Sequence, residues 1–204
     1  MTTHYYQYDL PASHGLKGDI AVDCESLGLN QHRDRMCLIQ LSSGDGSAHL
    51  VHFPEANYDA PNLKKLLSDK TSQKLLHFAR YDVALVKLYL GVLMEPVYCT
   101  RTASRLIRTY TDRHGLKDLC REYLDIELSK EQQSSYWGSD NLSQKQLDYA
   151  ANDVLYLHKL KAVLDERLKK EGRYELAMKV MHCIPTRAEL DLAGWAEADI
   201  FAHE

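Results

Sequence analysis

Apolar positions along this chain change their period near residue 100. Before it, short apolar runs read as strands: GDIAVDCE (18–25), RMCLIQLS (35–42) and AHLVHF (48–53). The second and third are joined by SGDGS, whose Asp45-Gly46 is a hairpin dipeptide, so the three predict an antiparallel meander. APNLKKLLSD (60–69) opens on Pro61 near its start and places Leu63, Leu66 and Leu67 at helical spacing. QKLLHF (73–78) predicts a fourth strand, RYDVALVKLYLG (80–91) a helix closed by Gly91, and PVYCT (96–100) a fifth strand. Beyond residue 100 the spacing becomes three and four, predicting helices over 101–110, 115–124, 143–170 and 173–192, with Pro185 starting or kinking the last. The reading is an α/β chain, strands first and a helical half after.

Composition narrows the picture. With 204 residues, 45% hydrophobic and 26% charged, the chain can bury one substantial core, and residues 1–204 are expected to form one domain. A net charge of −4 gives no general field for holding a long polyanion, so any nucleic-acid contact must be local. The five cysteines are odd in number and form no CxxC pair, which argues against a disulfide scaffold or a thiolate zinc site. No secretory leader is evident and no apolar run approaches about 18 residues, so the expectation is a cytoplasmic protein with no membrane contact.

The chemistry begins at IAVDCESLGLN (20–30), where a buried-looking strand ends in two acids. Side chains alternate along a strand, so Asp23 and Glu25 share one side and Cys24 takes the other. Asp82 lies in an otherwise apolar helix, and Asp153 follows Tyr149 by four residues, on one helical face. Each acid alone is ordinarily a cap or a turn residue. Together they are costly: two carboxylates about 4 Å apart repel by roughly 4 kcal/mol at an effective dielectric near 20. A domain stable by about 5–15 kcal/mol needs compensation, either a proton or a cation, and oxygen-only ligands select Mg2+ or Mn2+.

DCE, HFARYD and YAAND, in that order, resemble the three motifs of DEDD exonucleases of the subtype with a tyrosine in the third motif. LGLNQHRDRMCLIQLSSGDG, TASRLIRTYTDRHGLKDLC and LSQKQLDYAANDVLYLHKL are similar to ribonuclease D, over nearly all of residues 15–170. A chain of 204 residues with the ending IPTRAELDLAGWAEADIFAHE is similar to the bacterial nanoRNase C family. The resemblance implies a ribonuclease H-like mixed sheet, an antiparallel meander followed by parallel strands, with surrounding helices. It implies a 3′-5′ exoribonuclease that cuts very short RNA, especially dinucleotides, to mononucleotides. Asp23, Glu25, Asp82 and Asp153 would bind two divalent cations (Mg2+ or Mn2+), and Tyr149 would orient the attacking water. Leu29 resembles an apolar wedge between two bases, while Ser26 and His77 stand where the terminal sugar would lie. A homo-octamer is implied as well, with residues 186–204 as the tail that makes its contacts. One departure is Tyr136 in SSYW, where relatives have Asp, which affects a loop and its substrate contacts rather than the acids.

Trp137 reads as a core residue before a base-stacking one, and Arg101, Arg105 and Arg108 as a solvated face before a phosphate track. Three other functions stay open: ribonuclease D-like trimming of RNA 3′ ends or degradation of DNA, a nonenzymatic nucleic-acid-binding module, and an unrelated metal-carboxylate protein. A dead exonuclease fold would be expected to lack an acid, and the third would need neither Tyr149 nor the motif order.

Overall fold

The computed structural model describes residues 2–129 and 131–203. Six strands form one sheet: β1 (Thr2–Gln7), β2 (Ile20–Ser26), β3 (Met36–Ser42), β4 (Ser47–His52), β5 (Lys74–Leu76) and β6 (Val97–Cys99). Their spatial order is β1-β4-β3-β2-β5-β6. β2, β3 and β4 are the expected antiparallel meander, and β5 and β6 add in parallel beyond β2. The helices are α1 (Pro61–Ser68), α2 (Ala79–Leu90), α3 (Thr100–Ile107), α4 (Leu116–Leu124), α5 (Gln144–Leu155), α6 (Leu157–Lys170), α7 (Tyr174–His182) and α8 (Ile184–Leu190). A π-helical turn over Asp191–Trp195 follows α8.

Burial explains why the runs are so apolar. Every residue of β3 is buried, because α5 lies against β2, β3 and β4 while α2 packs on the same part of the sheet from elsewhere. A strand covered on both faces reads as a continuous apolar run rather than an alternation. α2 is apolar nearly all round for the same reason, since it sits between the sheet and α8. It ends where Gly91 takes the left-handed conformation (φ 72°) and donates its N–H to the Lys87 carbonyl.

Three elements differ from the sequence expectation. β1 pairs in parallel with β4 as an edge strand; THYYQ is largely solvent-exposed, so no apolar alternation announces it. The 143–170 helix is two helices, broken at Tyr156 (φ −107°, ψ −6°). A straight helix of that length would run roughly 40 Å; the break lets α5 cover the meander while α6 packs on α3 and α4. The 173–192 helix also divides, with Pro185 in the first turn of α8, where its missing N–H costs nothing. Within this frame α5 starts on a capping box: Ser143 Oγ accepts from Gln146 N, and the Gln146 side chain accepts from Ser143 N. That cap fixes the first turn of the helix that carries Tyr149 and Asp153.

Candidate active site

The parallel strands β2, β5 and β6 all end at one cleft of about 600 Å3, lined by Asp23, Glu25, Ser26, His77, Asp82 and Arg101 among others. Sites in sheets with parallel strands ordinarily form beyond the strands' carboxyl ends. The pairing of β2 with β3 slips between Glu25 and Ser26. Such a bulge ends the regular ladder and turns the chain into the 26–34 loop.

Asp23, Glu25 and Asp153 meet here: one carboxylate oxygen from each lies within 4.8 Å of the others. The first two pair across to Gln40 and Leu38 on the face that α5 covers, and Asp153 comes from α5 itself. Asp82 enters from the first turn of α2, is almost fully buried, and lies outside that three-oxygen group. Its own backbone N–H and that of Cys24 favour the charged carboxylate and draw its proton affinity partly back.

All four acids hold protons unusually well. Burial drives Asp23 far above the ordinary carboxylate range, and the charges of Asp82, Asp153 and Glu25 add to the rise. Glu25 is raised by burial and then by Asp153 and Asp82. Asp82 is pushed up to about 8 and Asp153 to about 7, both chiefly by burial. Crowded carboxylates short of positive charge fit a divalent cation, and an oxygen-only donor set suits Mg2+ or Mn2+. Tyr149, next to Asp153 on α5, is also raised by burial and by the charges of Asp153, Glu25 and Asp23, so its hydroxyl keeps its proton at neutral pH. It can donate a hydrogen bond there but is a poor base.

The remaining expected residues lie along the same cleft. Leu29 projects from the 26–34 loop with 88% of its surface exposed. Ser26 lies at the cleft, but its hydroxyl donates to the Gly28 carbonyl (2.7 Å) and lies 2.8 Å from the Tyr81 hydroxyl. His77 Nδ1 is 2.9 Å from Thr100 Oγ1, which itself donates to the Leu76 carbonyl, an arrangement satisfied when Nδ1 carries the proton. Trp137 is a core residue, buried with Cys37, Leu38, Leu50 and Ala150 and backing the Tyr149 ring at 6.1 Å. Tyr136 is exposed; its carbonyl accepts from Gln146, tying its loop to the start of α5.

The expected solvated arginine face does not form as one. Arg108 is buried, pairs with Glu122 at 2.5 Å and donates to the Arg113 carbonyl. Arg101 turns into the cleft, with its guanidinium 5.1 Å from the Phe78 ring centroid. Phe78 was missed as a site residue because it reads as the last apolar residue of a strand. The strand ends at Leu76, and Phe78 takes a left-handed conformation (φ 67°) that leaves its ring half exposed at the cleft. Lys117 lines the cleft as well.

An acid cluster of this kind in a cleft at the ends of parallel strands is the equipment of a metal-dependent hydrolase. Residues 8–169 match the 3′-5′ exonuclease family, and the chain belongs to that family. It is 30% identical over 154 residues to ribonuclease D of Pseudomonas paraeruginosa, which covers 76% of this chain and 40% of that one. Ribonuclease D of Granulibacter bethesdensis is 29% identical over 154 residues, covering 76% and 38%. The chain thus spans about two fifths of the length of these curated relatives. Over full length on both sides it is 51% identical to Brucella melitensis NrnC bound to pGG (TM-score 0.96) and to the same protein with bound Mg2+ (TM-score 0.95). The fold also matches Escherichia coli RNase D at 24% identity, over 84% of this chain and 45% of that one (TM-score 0.73). The fold and the acid cluster thus define a member of the ribonuclease D-like 3′-5′ exonuclease family whose site has the donor set for divalent cations. Among the described residues no helix is long and apolar enough to cross a membrane.

The acids also set a pH dependence for the metal-free protein. Their native pKa values stand above the ordinary ones, so the folded state binds protons more tightly than the unfolded state. That contribution to stability is complete at low pH and is lost as pH rises through about 7 for Asp153 and about 8 for Asp82. In chelator the melting temperature should fall between pH 6 and 9 by several degrees, since about 1 kcal/mol moves it by roughly 2–4 °C in a chain of this size. Millimolar Mg2+ should abolish most of that fall. A melting temperature that rises with pH in chelator, or one indifferent to Mg2+ at pH 8.5, would contradict the charge cluster.

Proposed function

We propose that this enzyme removes nucleotides from the 3′ end of very short RNA, dinucleotides above all, yielding mononucleotides. The observation that carries the reading is an exposed leucine in the same cleft as the acid cluster. A side chain like Leu29 loses roughly 1.5–3 kcal/mol of available burial by standing in water. It repays that when a base packs on each side. Full-length likeness to a protein described with pGG bound supports the same substrate class. So does the net charge of −4, which leaves affinity to local contacts.

Asp23, Glu25, Asp82 and Asp153 would hold two Mg2+ or Mn2+ ions, which when bound supply an activated water and charge neutralisation at the scissile phosphate. The chain's own groups do the rest. Tyr149, protonated, donates to the attacking water and orients it. Leu29 parts the two bases, and the half-exposed Phe78 ring offers a face for one of them to stack on. Arg101 and Lys117 supply positive charge for the phosphates. Ser26 contributes its backbone to the 3′ sugar, its hydroxyl being engaged in the turn, and His77 faces the same sugar. All four acids are present, which speaks against a nonenzymatic binding module. The five unpaired cysteines suit a reducing cytoplasm.

We further propose that residues 1–204 act as one exonuclease domain that assembles into a homo-octamer through residues 186–204. Leu192 packs on the core, while Trp195, Ile200 and Phe201 are left exposed close together in sequence. Light scattering at micromolar concentration should report a particle about eight times the 23.4 kDa chain mass. A monomer there would remove the assembly.

Asp23→Ala and Asp153→Ala should each abolish nearly all turnover while the protein stays folded. Tyr149→Phe should lower kcat by about 100-fold or more, as loss of a preorganised donor does, yet keep Mg2+ binding by calorimetry. Wild-type rates in the Asp23 variant would sink the metal mechanism, and undiminished turnover without the hydroxyl would remove Tyr149 from it.

Substrate length is the sharper test. With fixed Mg2+ and salt, kcat/KM for an RNA two-mer should equal or exceed that for a seven-mer, and Leu29→Ala should erode the difference more than it lowers the maximal rate. If the seven-mer wins by about tenfold, roughly 1.4 kcal/mol of extra transition-state binding, ribonuclease D-like trimming replaces the short-RNA reading. Parallel runs with DNA oligonucleotides decide between the sugars.

A further inference from the structure

An apolar side chain that stands in water cannot anchor itself, so the position of Leu29 must be set by the turn beneath it. The turn is gripped on both sides of that residue by one tyrosine. On the side before Leu29, the Tyr81 hydroxyl donates to the Gly28 carbonyl at 2.7 Å. That carbonyl belongs to the peptide bond leading into Leu29. Ser26 Oγ reaches the same carbonyl at 2.7 Å and lies 2.8 Å from the Tyr81 hydroxyl. The three oxygens form a compact triangle whose two hydroxyl protons can fill two of the three contacts at a time, with the Gly28 oxygen as the one atom that only accepts. On the side after Leu29, Gln31 Nε2 donates to the Tyr81 backbone carbonyl at 3.2 Å, and Tyr89, two turns along the same helix, donates its hydroxyl to the Gln31 carbonyl at 2.9 Å.

The opposite flank is closed by Asp34. It accepts from the Asn30 N–H at 3.0 Å and holds Arg33 through two contacts of 2.6 and 2.8 Å. Gly28 packs closely there: a Cβ would lie 2.4 Å from Asp34 Oδ2 and would push that carboxylate aside. The turn is therefore held by hydrogen bonds both to Asp34 and to α2, and the Tyr81 hydroxyl opposes its movement away from that helix. Tyr81 precedes Asp82 in the first turn of α2, so the residue that fixes Leu29 is joined by one peptide bond to an acid of the cleft.

We infer that Tyr81 is a positioning residue that determines specificity: its hydroxyl locks the Leu29 turn to the helix carrying Asp82 and so fixes the wedge-to-acid spacing that selects two-nucleotide substrates. The inference rests on the short-RNA reading above. It separates two tasks within the cleft. The acids are held by β2, α2 and α5 whether or not the turn is locked, so hydrolysis of a bound, correctly seated phosphodiester does not depend on the Tyr81 hydroxyl. Seating does. A two-mer has only its two bases and one internal phosphate to set its register, whereas a longer chain has further contacts to draw on.

The test is Tyr81→Phe, which removes the hydroxyl and keeps the ring, with Ser26→Ala as a second break in the same triangle. Losing a net hydrogen bond of ordinary strength should raise KM for an RNA two-mer by about three- to tenfold. The effect on kcat should be smaller than that on KM, and the Mg2+ concentration for half-maximal rate should stay unmoved. The seven-mer should suffer less, so the two-mer to seven-mer ratio of kcat/KM should fall by about threefold or more. In a Leu29→Ala background Tyr81→Phe should add almost nothing, because both changes act on one element. A wild-type two-mer KM in both variants overturns the inference. So does an equal loss of kcat on both substrates with a shifted Mg2+ requirement, which would place Tyr81 with Asp82 instead, and so do effects that simply add in the double variant. Wild-type preference for the seven-mer overturns the short-RNA reading alone, since Tyr81 is read from the change in ratio on substitution.

Discussion

Like charges held together govern the architecture of this protein. Three carboxylate oxygens within 4.8 Å, with a fourth acid behind them, would spread apart if any were free to move. None is. Asp23 and Glu25 are fixed by alternation in a strand that pairs with β3 along its length and with β5 at its start, and Asp153 by a helix whose first turn is closed by a capping box. Asp82 is tied to the backbone of Cys24, the residue between the two strand acids. Rigid secondary structure holds the acids together, and burial, with the neighbouring charges added to it at Asp23 and Glu25, raises their proton affinities. The site is poised for positive charge before any ligand arrives.

The same elements that crowd the acids also shape what can reach them. The bulge after Glu25 ends the β2 ladder and releases the loop that bears the exposed Leu29, so that side chain follows the charge cluster by only a few residues. α2 serves both, with Asp82 turned to the acids and Tyr81 to the loop. The chain just beyond β5 and β6 adds Phe78 and Arg101 to the same cleft, the guanidinium 5.1 Å from the ring centroid. The acid cluster and the exposed Leu29 loop are thus built on one sheet end, with separate side chains for each. The C-terminal segment reaches the same helix: Asp191, buried, pairs with Arg80 at 2.5 Å and with Arg187 at 3.2 Å, while Arg80 and Arg187 donate to carbonyls of Trp195, Ala196 and Ala198. That network ties the turn bearing Trp195 to α2.

Local sequence by itself determined the meander, two further strands and the helical second half; the resemblance of three ordered motifs added the parallel run of those strands and the grouping of the four acids with Tyr149. It could do so because strand and helix periodicity are local properties, and because ordered motifs carry a long-range arrangement in their sequence. Only the tertiary structure decided what depends on distant neighbours. β1 is a strand because β4 offers it an edge; its own residues are too exposed to alternate in hydrophobicity. The long helix breaks at Tyr156 because two different surfaces must be covered. Arg108 and Arg101 share a helical spacing, yet one is buried against Glu122 and the other turns toward the acids, since what meets each arginine comes from other parts of the chain. Phe78 leaves the strand pattern through a single left-handed residue. Ser26 reads as a ligand for substrate, but its hydroxyl is committed to a tyrosine 55 residues away, a partner that no spacing in the sequence could reveal.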